Sequence, residues 1–390
     1  MKKIIILFVA AAIFYDLFSP LRLLFDGGKA LMMLFPTLLI IFYDRLYLKK
    51  SFLPVLIFIF TGVLLNLFGS EYAYFGIPTL LGMLFACGCF EHYIVTRDSQ
   101  YAKTILFVTY GVLMFTILVS IPLFMTVPHL SRMLLDAEEH GVTDPIMFWT
   151  VSFPTIHDLP VYSIPIFYLL RTSKKKFVRL FSLFVILSIF VLMIFADATM
   201  SLILTVVMYG ILLIYNPKRS YRDNLVLFIL IGLFMLVLLN KTVLIGILQF
   251  IQPYFEDSTT FEKIDDIIYS LSGHGTTGDV EARSNLLKRS LDSFISNPFL
   301  PELKNDNIGK HNFLIDIVVA MGLFLSVTFI LFITNRLKRP LRFINKETKP
   351  YYYLCILVLL AMGFTKNFFL LFPTCCIAPM FFIMSNWKTD

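Results

Sequence analysis

Charge is scarce in this chain. Only 15% of its 390 residues are Asp, Glu, Lys or Arg, against roughly a quarter in ordinary globular domains. Cysteine is sparse too, and the five present (Cys87, Cys89, Cys355, Cys375 and Cys376) all lie in apolar runs. A disulfide framework for the polar loops is thereby excluded, and no CxxC metal pair occurs. The cysteines read as small buried hydrophobes. HExxH and comparable metal spacings are missing, as are internal repeats, low-complexity tracts and a separate soluble domain. Sheet content is expected to be negligible, because open sheet edges cannot satisfy their backbone in lipid.

What the chain has instead is apolar length. Hydrophobic residues make up 58% of it, and the mean hydropathy is +0.81. Apolar runs fall at about 4–18, 30–43, 52–68, 73–91, 104–128, 156–170, 177–195, 199–215, 224–240, 312–334, 351–372 and 374–387. Several are shorter than the ~20 residues of an ideal span. The expected fold is all-α: a polytopic integral membrane protein of about 12 transmembrane helices, residues 1–390 forming one membrane domain. Lys2-Lys3 and the run behind them resemble a secretory signal; the reading adopted is an uncleaved first span.

The formal charge of +7 sits in short clusters between the runs, as topology-setting charges do, and excludes nucleic acid as a partner. Starting with Lys2 and Lys3 inside, the inner connections hold Arg45, Lys49, Lys50, Arg97, Lys103, the cluster from Arg171 to Arg179, Lys218, Arg219 and Arg222. Arg336, Lys338, Arg339, Arg342, Lys346 and Lys349 follow on the same side. Acidic residues fall overwhelmingly on the other. The positive-inside rule then places both termini in the cytoplasm and two large loops, 129–155 and 241–310, outside.

The second loop has internal structure. Thr259 with Glu262 makes a capping box, and Phe261, Ile264, Ile268 and Leu271 follow at helical spacing. Residues 272–278 form a glycine-rich break. A second amphipathic helix is expected from about Val280 to Asn297-Pro298, with Leu287, Leu291, Phe294 and Ile295 on one stripe. Arg283 breaks that stripe, four and eight residues before Leu287 and Leu291. An arginine on a buried stripe needs an anionic partner or a path to water, and its planar fork suits a diphosphate. A salt bridge to a loop carboxylate is the plainer alternative.

His311 stands where the chain re-enters the membrane, and imidazoles are suited to take a proton from a hydroxyl. Asp316 and Lys366 each lie several residues inside neighbouring spans, roughly 8 Å below the surface. Charges at that depth pair or face a wet cavity, so the two are expected to meet or to share one. Asn312 lies on the face of Asp316, and Asp197, in the turn before Thr199, is placed at the same cavity. The first loop offers Arg132, Glu138, Glu139, His140, His157 and Asp158.

Arg283 on a loop helix, Asn297-Pro298, Gly309-Lys310-His311-Asn312-Phe313-Leu314 and Gly322-Leu323 together resemble the bacterial O-antigen polymerase and ligase superfamily. The layout, with a large outer loop before the last spans, is similar to that of Wzy-type polymerases of surface polysaccharides. The resemblance implies a metal-independent membrane glycosyltransferase with no cofactor, acting on undecaprenyl-diphosphate-linked oligosaccharides at the bacterial inner or plasma membrane. A chain-length regulator and a flippase are the implied protein partners, and membrane lipid surrounds it. Arg283 would bind the donor diphosphate and His311 would act on the acceptor hydroxyl. Two departures stand out: Asp197-Ala198-Thr199-Met200-Ser201 lacks the Ser-Arg common in relatives, and Pro298-Phe299-Leu300-Pro301 replaces a glycine-rich stretch. A second phosphate-binding cation would then come from Arg132, Lys288 or Arg289. A ligase handing finished glycan to another acceptor, a transporter or flippase, and a non-catalytic scaffold are the competing readings.

Overall fold

The computed structural model describes residues 2–18, 28–127, 149–196, 198–215, 241–256, 259–272, 278–366 and 370–385. All regular structure among them is helical. Backbone N–H and C=O groups in lipid are satisfied within a helix, so apolar runs become helices. They do so as α1 (Lys2–Leu17), α2 (Gly28–Tyr43), α3 (Leu53–Leu67), α4 (Ile77–Thr96), α5 (Ser99–Thr126), α6 (Phe153–Thr172), α7 (Lys176–Phe195) and α8 (Thr199–Ile214). In the polar stretch come α9 (Lys241–Ile251), α10 (Thr259–Leu271) and α11 (Gly278–Ser296). The chain closes with α12 (Phe313–Leu341), α13 (Lys349–Thr365) and a π turn (Pro373–Ile377) leading into α14 (Ala378–Ser385). Among the described residues four helices, α4, α5, α7 and α12, are long and apolar enough to cross a membrane. The expected run at 224–240 and most of the 129–155 loop lie outside the described residues.

The helices pack as neighbours in sequence and across it. α1 lies against α2 and α5, α2 against α4, and α7 against both α5 and α6. α12 packs on α3, where the buried rings of Phe58 and Phe332 stack with centroids 4.6 Å apart. All five cysteines are free and buried. Between α4 and α5 the chain turns on two residues. Arg97 takes a left-handed conformation (φ 50), and the Asp98 carboxylate accepts from the amides of Gln100 (2.8 Å) and Tyr101 (3.2 Å), capping α5.

The Arg-rich end of the helices holds a buried ion cluster. Glu91 of α4 is fully buried and accepts from Arg336 Nη1 at 3.1 Å and from Arg339 Nε and Nη2 at 3.1 and 3.2 Å. Arg336 also donates to the Ser51 carbonyl at 2.6 Å. Beside it, His92 Nδ1 lies 2.6 Å from Asp44 Oδ2, both side chains being buried. Arg336 and Arg339, which the charge pattern places among topology-setting loop residues, are therefore ties that join α12 to α4.

Glu91→Ala leaves a buried guanidinium without its carboxylate, and breaking such a pair costs about 3–5 kcal/mol. Arg339 keeps 18% of its side chain exposed, so Arg339→Ala should cost clearly less. Thermal unfolding of the detergent-solubilised protein should rank wild type above Arg339→Ala above Glu91→Ala; the reverse order of the two variants would refute the cluster's role.

Candidate functional site

At the opposite end of α12, a short turn and α11 are bolted together through one serine. Ser290 is fully buried. Its Oγ donates to Asp316 Oδ1 at 2.6 Å and accepts from the Gly309 amide at 2.8 Å. Gly309 is required by the closeness of the approach, because a Cβ there would sit 2.0 Å from the Leu286 carbonyl oxygen. The next residue, Lys310, is left-handed (φ 59). That turn throws His311 and Asn312 out ahead of α12.

Asp316 then reaches back over the first turn of α12. Its Oδ2 accepts from the Asn312 amide at 2.9 Å, and the His311 backbone adds a further hydrogen bond. His311 is thus flanked by two fixed points, Gly309 on Ser290 and Asn312 on Asp316. Both His311 and Asn312 are half-buried. The Phe313 amide donates to the Lys366 carbonyl at 3.1 Å, so the end of α13 lies against the same turn. The Lys366 backbone therefore reaches the turn that Asp316 holds, the Asp316 carboxylate itself being engaged by Ser290 and backbone amides.

α11 carries Arg283 on the stripe that Ser290 seats against this turn. Arg283 is half-buried and stands seven residues before Ser290, two helical turns or ~10 Å along the same stripe. Lys288 and Arg289 do not share that stripe. At 3.6 residues per turn they lie roughly 140° and 120° round the axis from Arg283. They line instead a polar cleft of ≈ 590 Å³ with Asp292, Ser296, Asn297 and Glu302. Lys288 and Arg289 therefore face a different side of α11 from Arg283. Arg132 and Asp197 lie outside the described residues.

Sequence reading missed two contributors. Ser290 carries the same signal as Arg283, a polar residue at an apolar register of α11. Tyr74, in the 3-10 turn Ala73–Phe75 ahead of α4, packs edge-on against Phe313 with centroids 4.5 Å apart. Beside it opens a cavity of ≈ 240 Å³, with Asp16, Tyr74 and Thr79 as polar lining and Met83, Phe85 and Phe372 among its apolar walls. His157, grouped with the first loop by sequence, sits buried on α6 with Nδ1 2.6 Å from Ser201 Oγ. Among the described residues no three His, Cys, Asp or Glu side chains gather as metal ligands.

Ser290→Ala removes one donor from the buried Asp316 and leaves the Gly309 amide without its acceptor. A loss of about 1–3 kcal/mol is expected, seen as a lower unfolding temperature and faster proteolysis between α11 and α12. Unchanged stability and protease resistance would show that the serine does not hold the two helices together. Compared with known families and characterised proteins, the chain matches no family model and no curated sequence.

Proposed function

We propose that this chain is a glycosyltransferase of bacterial surface-polysaccharide assembly, a polymerase of undecaprenyl-diphosphate-linked repeat units. It is read as a protein of about 12 spans in the inner or plasma membrane, with cytoplasmic termini and the 129–155 and 241–310 loops on the outer face. One observation carries the reading: Ser290 and Gly309 seat the stripe bearing Arg283 on the turn bearing His311, where α12 begins.

The roles follow from the chemistry. The acceptor hydroxyl oxygen attacks the anomeric carbon of the lipid-linked donor, forming the new C–O bond. The bond from that carbon to the diphosphate breaks, and its electron pair leaves with the diphosphate. His311 takes the hydroxyl proton. Arg283 pairs with the departing charge, for which its fork is suited. Lys366, whose backbone abuts the turn, supplies a second cation. Asp316 is a positioning residue, holding the His311–Asn312 backbone, and Asn312 contacts substrate.

His311→Ala and Arg283→Ala, each compared with wild type at matched protein levels, test the reading by glycan chain length and lipid-linked intermediates. Single repeat units should accumulate and long chains disappear in both, a loss on the 10²–10⁴-fold scale of general-base removal for His311→Ala. Long chains that form but remain on their lipid would mark a ligase. Wild-type glycans from both variants would leave a transporter or scaffold as the better reading.

A further inference from the structure

The segment between α11 and the site turn does not stay above the membrane. α12 is interrupted at Gly322 (φ 64, ψ 167). Within a regular helix the Leu323 amide would bond the Val319 carbonyl. Here both groups are given to another segment: Leu323 N–H donates to the Pro298 carbonyl at 2.8 Å, and the Val319 carbonyl accepts from Glu302 N–H at 3.2 Å. Residues 298–301 lie as a strap across the break. A Cβ at Gly322 would sit 2.6 Å from the Leu300 carbonyl carbon and oxygen, so the contact and the glycine require each other.

The depth of that strap follows from α12 itself. Asn335 and Arg336 are its first strongly polar residues toward the Arg-rich end. Leu323 is twelve residues before Asn335, or ~18 Å, within a hydrocarbon core of ~30 Å. Tilting α12 shortens that rise and leaves Leu323 still inside the core. α3, packed on α12, gives a second ruler. Ser51, just before it, bonds Arg336, while Glu71, just beyond its far end, donates its amide to the Leu303 carbonyl at 2.9 Å. The strap extends from Leu303 back toward the membrane middle.

Its composition fits that depth. Pro298 and Pro301 have no N–H to leave unsatisfied, in a medium where each orphaned group costs several kcal/mol. Phe299 and Leu300 are 51% and 60% exposed, and Phe299 stacks on Phe324, itself 68% exposed, at 5.3 Å. They continue the exposed apolar surface of Leu323, Val327, Ile330 and Leu331 on α12. The residues at either end of the strap, Asn297 and Glu302, line the polar cleft with Ser296. Glu302 itself turns to polar partners, accepting from Ser293 Oγ (3.2 Å) and the Lys304 amide (3.0 Å).

We propose that residues 298–301 form a re-entrant segment, with lipid acyl chains against Phe299 and Leu300 and its two ends, Asn297 and Glu302, at the polar cleft. The surface is a lipid contact inside a stretch that otherwise reads as an aqueous loop, and it stands independently of the glycosyltransferase reading.

Because the native cysteines are buried, Leu300→Cys and, as an aqueous control, the exposed Lys304→Cys accept a bimane label selectively. Each would be reconstituted into phosphatidylcholine vesicles with or without chain-brominated lipid, after its elution profile is matched to wild type. Bimane at 300 should lose at least half its emission to brominated lipid and almost none to aqueous iodide, with the opposite pattern at 304. Iodide quenching at 300 equal to that at 304 would overturn the proposal. So would protection from both quenchers, which would mean that a second copy of the chain, not lipid, covers the strap.

Discussion

A buried carboxylate cannot be left to itself, and the far end of this molecule is built around that constraint. Asp316 lies inside the helix packing, where an unsatisfied charge would cost several kcal/mol. Its oxygens are met by the Ser290 hydroxyl and by backbone amides of the preceding turn. Satisfying them requires α11 to approach closely, and close approach requires glycine at 309. Everything presented at this end inherits its position from that chain of requirements. The His311 backbone, the register of Arg283 and the abutment of α13 on Phe313 are fixed by it.

The two ends of the helices handle charge differently. At the Arg-rich end, Glu91 is matched by two guanidiniums and the cluster is sealed by Phe52 and Phe343, over whose rings Arg336 and Arg339 lie. Such a cluster has nothing left to offer a ligand. At the other end the Asp316 carboxylate is held by neutral donors, the Ser290 hydroxyl and backbone amides, which fix geometry without pairing its charge.

Much of the architecture is legible from residues alone. The apolar runs mark the membrane helices, the limits of α10 and α11 follow from caps and the Asn297-Pro298 stop, and Arg283 stands out by its register. What was not legible shares a cause. A serine bonded to an aspartate 26 residues away leaves no periodic trace. Nor does an arginine paired with a glutamate 245 residues earlier. Gly322 enters by sequence only as part of a motif, and Pro298-Phe299-Leu300-Pro301 only as a departure from it; that they belong together is seen only in their backbone bonds. His157 is grouped with the first-loop residues by sequence, yet it lies on α6, which accepts Pro154 in its first turn and Pro160 within it.

The two-residue connection of Arg97 and Asp98 also bears on the order in which the protein comes together. Loop-closure entropy rises with the logarithm of loop length, so the α4–α5 hairpin closes at little entropic cost once both helices exist. His92 and Asp44 belong to the same early part of the chain and find each other over 48 residues. Glu91 has to wait for Arg336, which emerges 245 residues later. During synthesis this end of the protein is therefore assembled in two instalments, and for most of that time Glu91 is an acid whose cations have not yet been made.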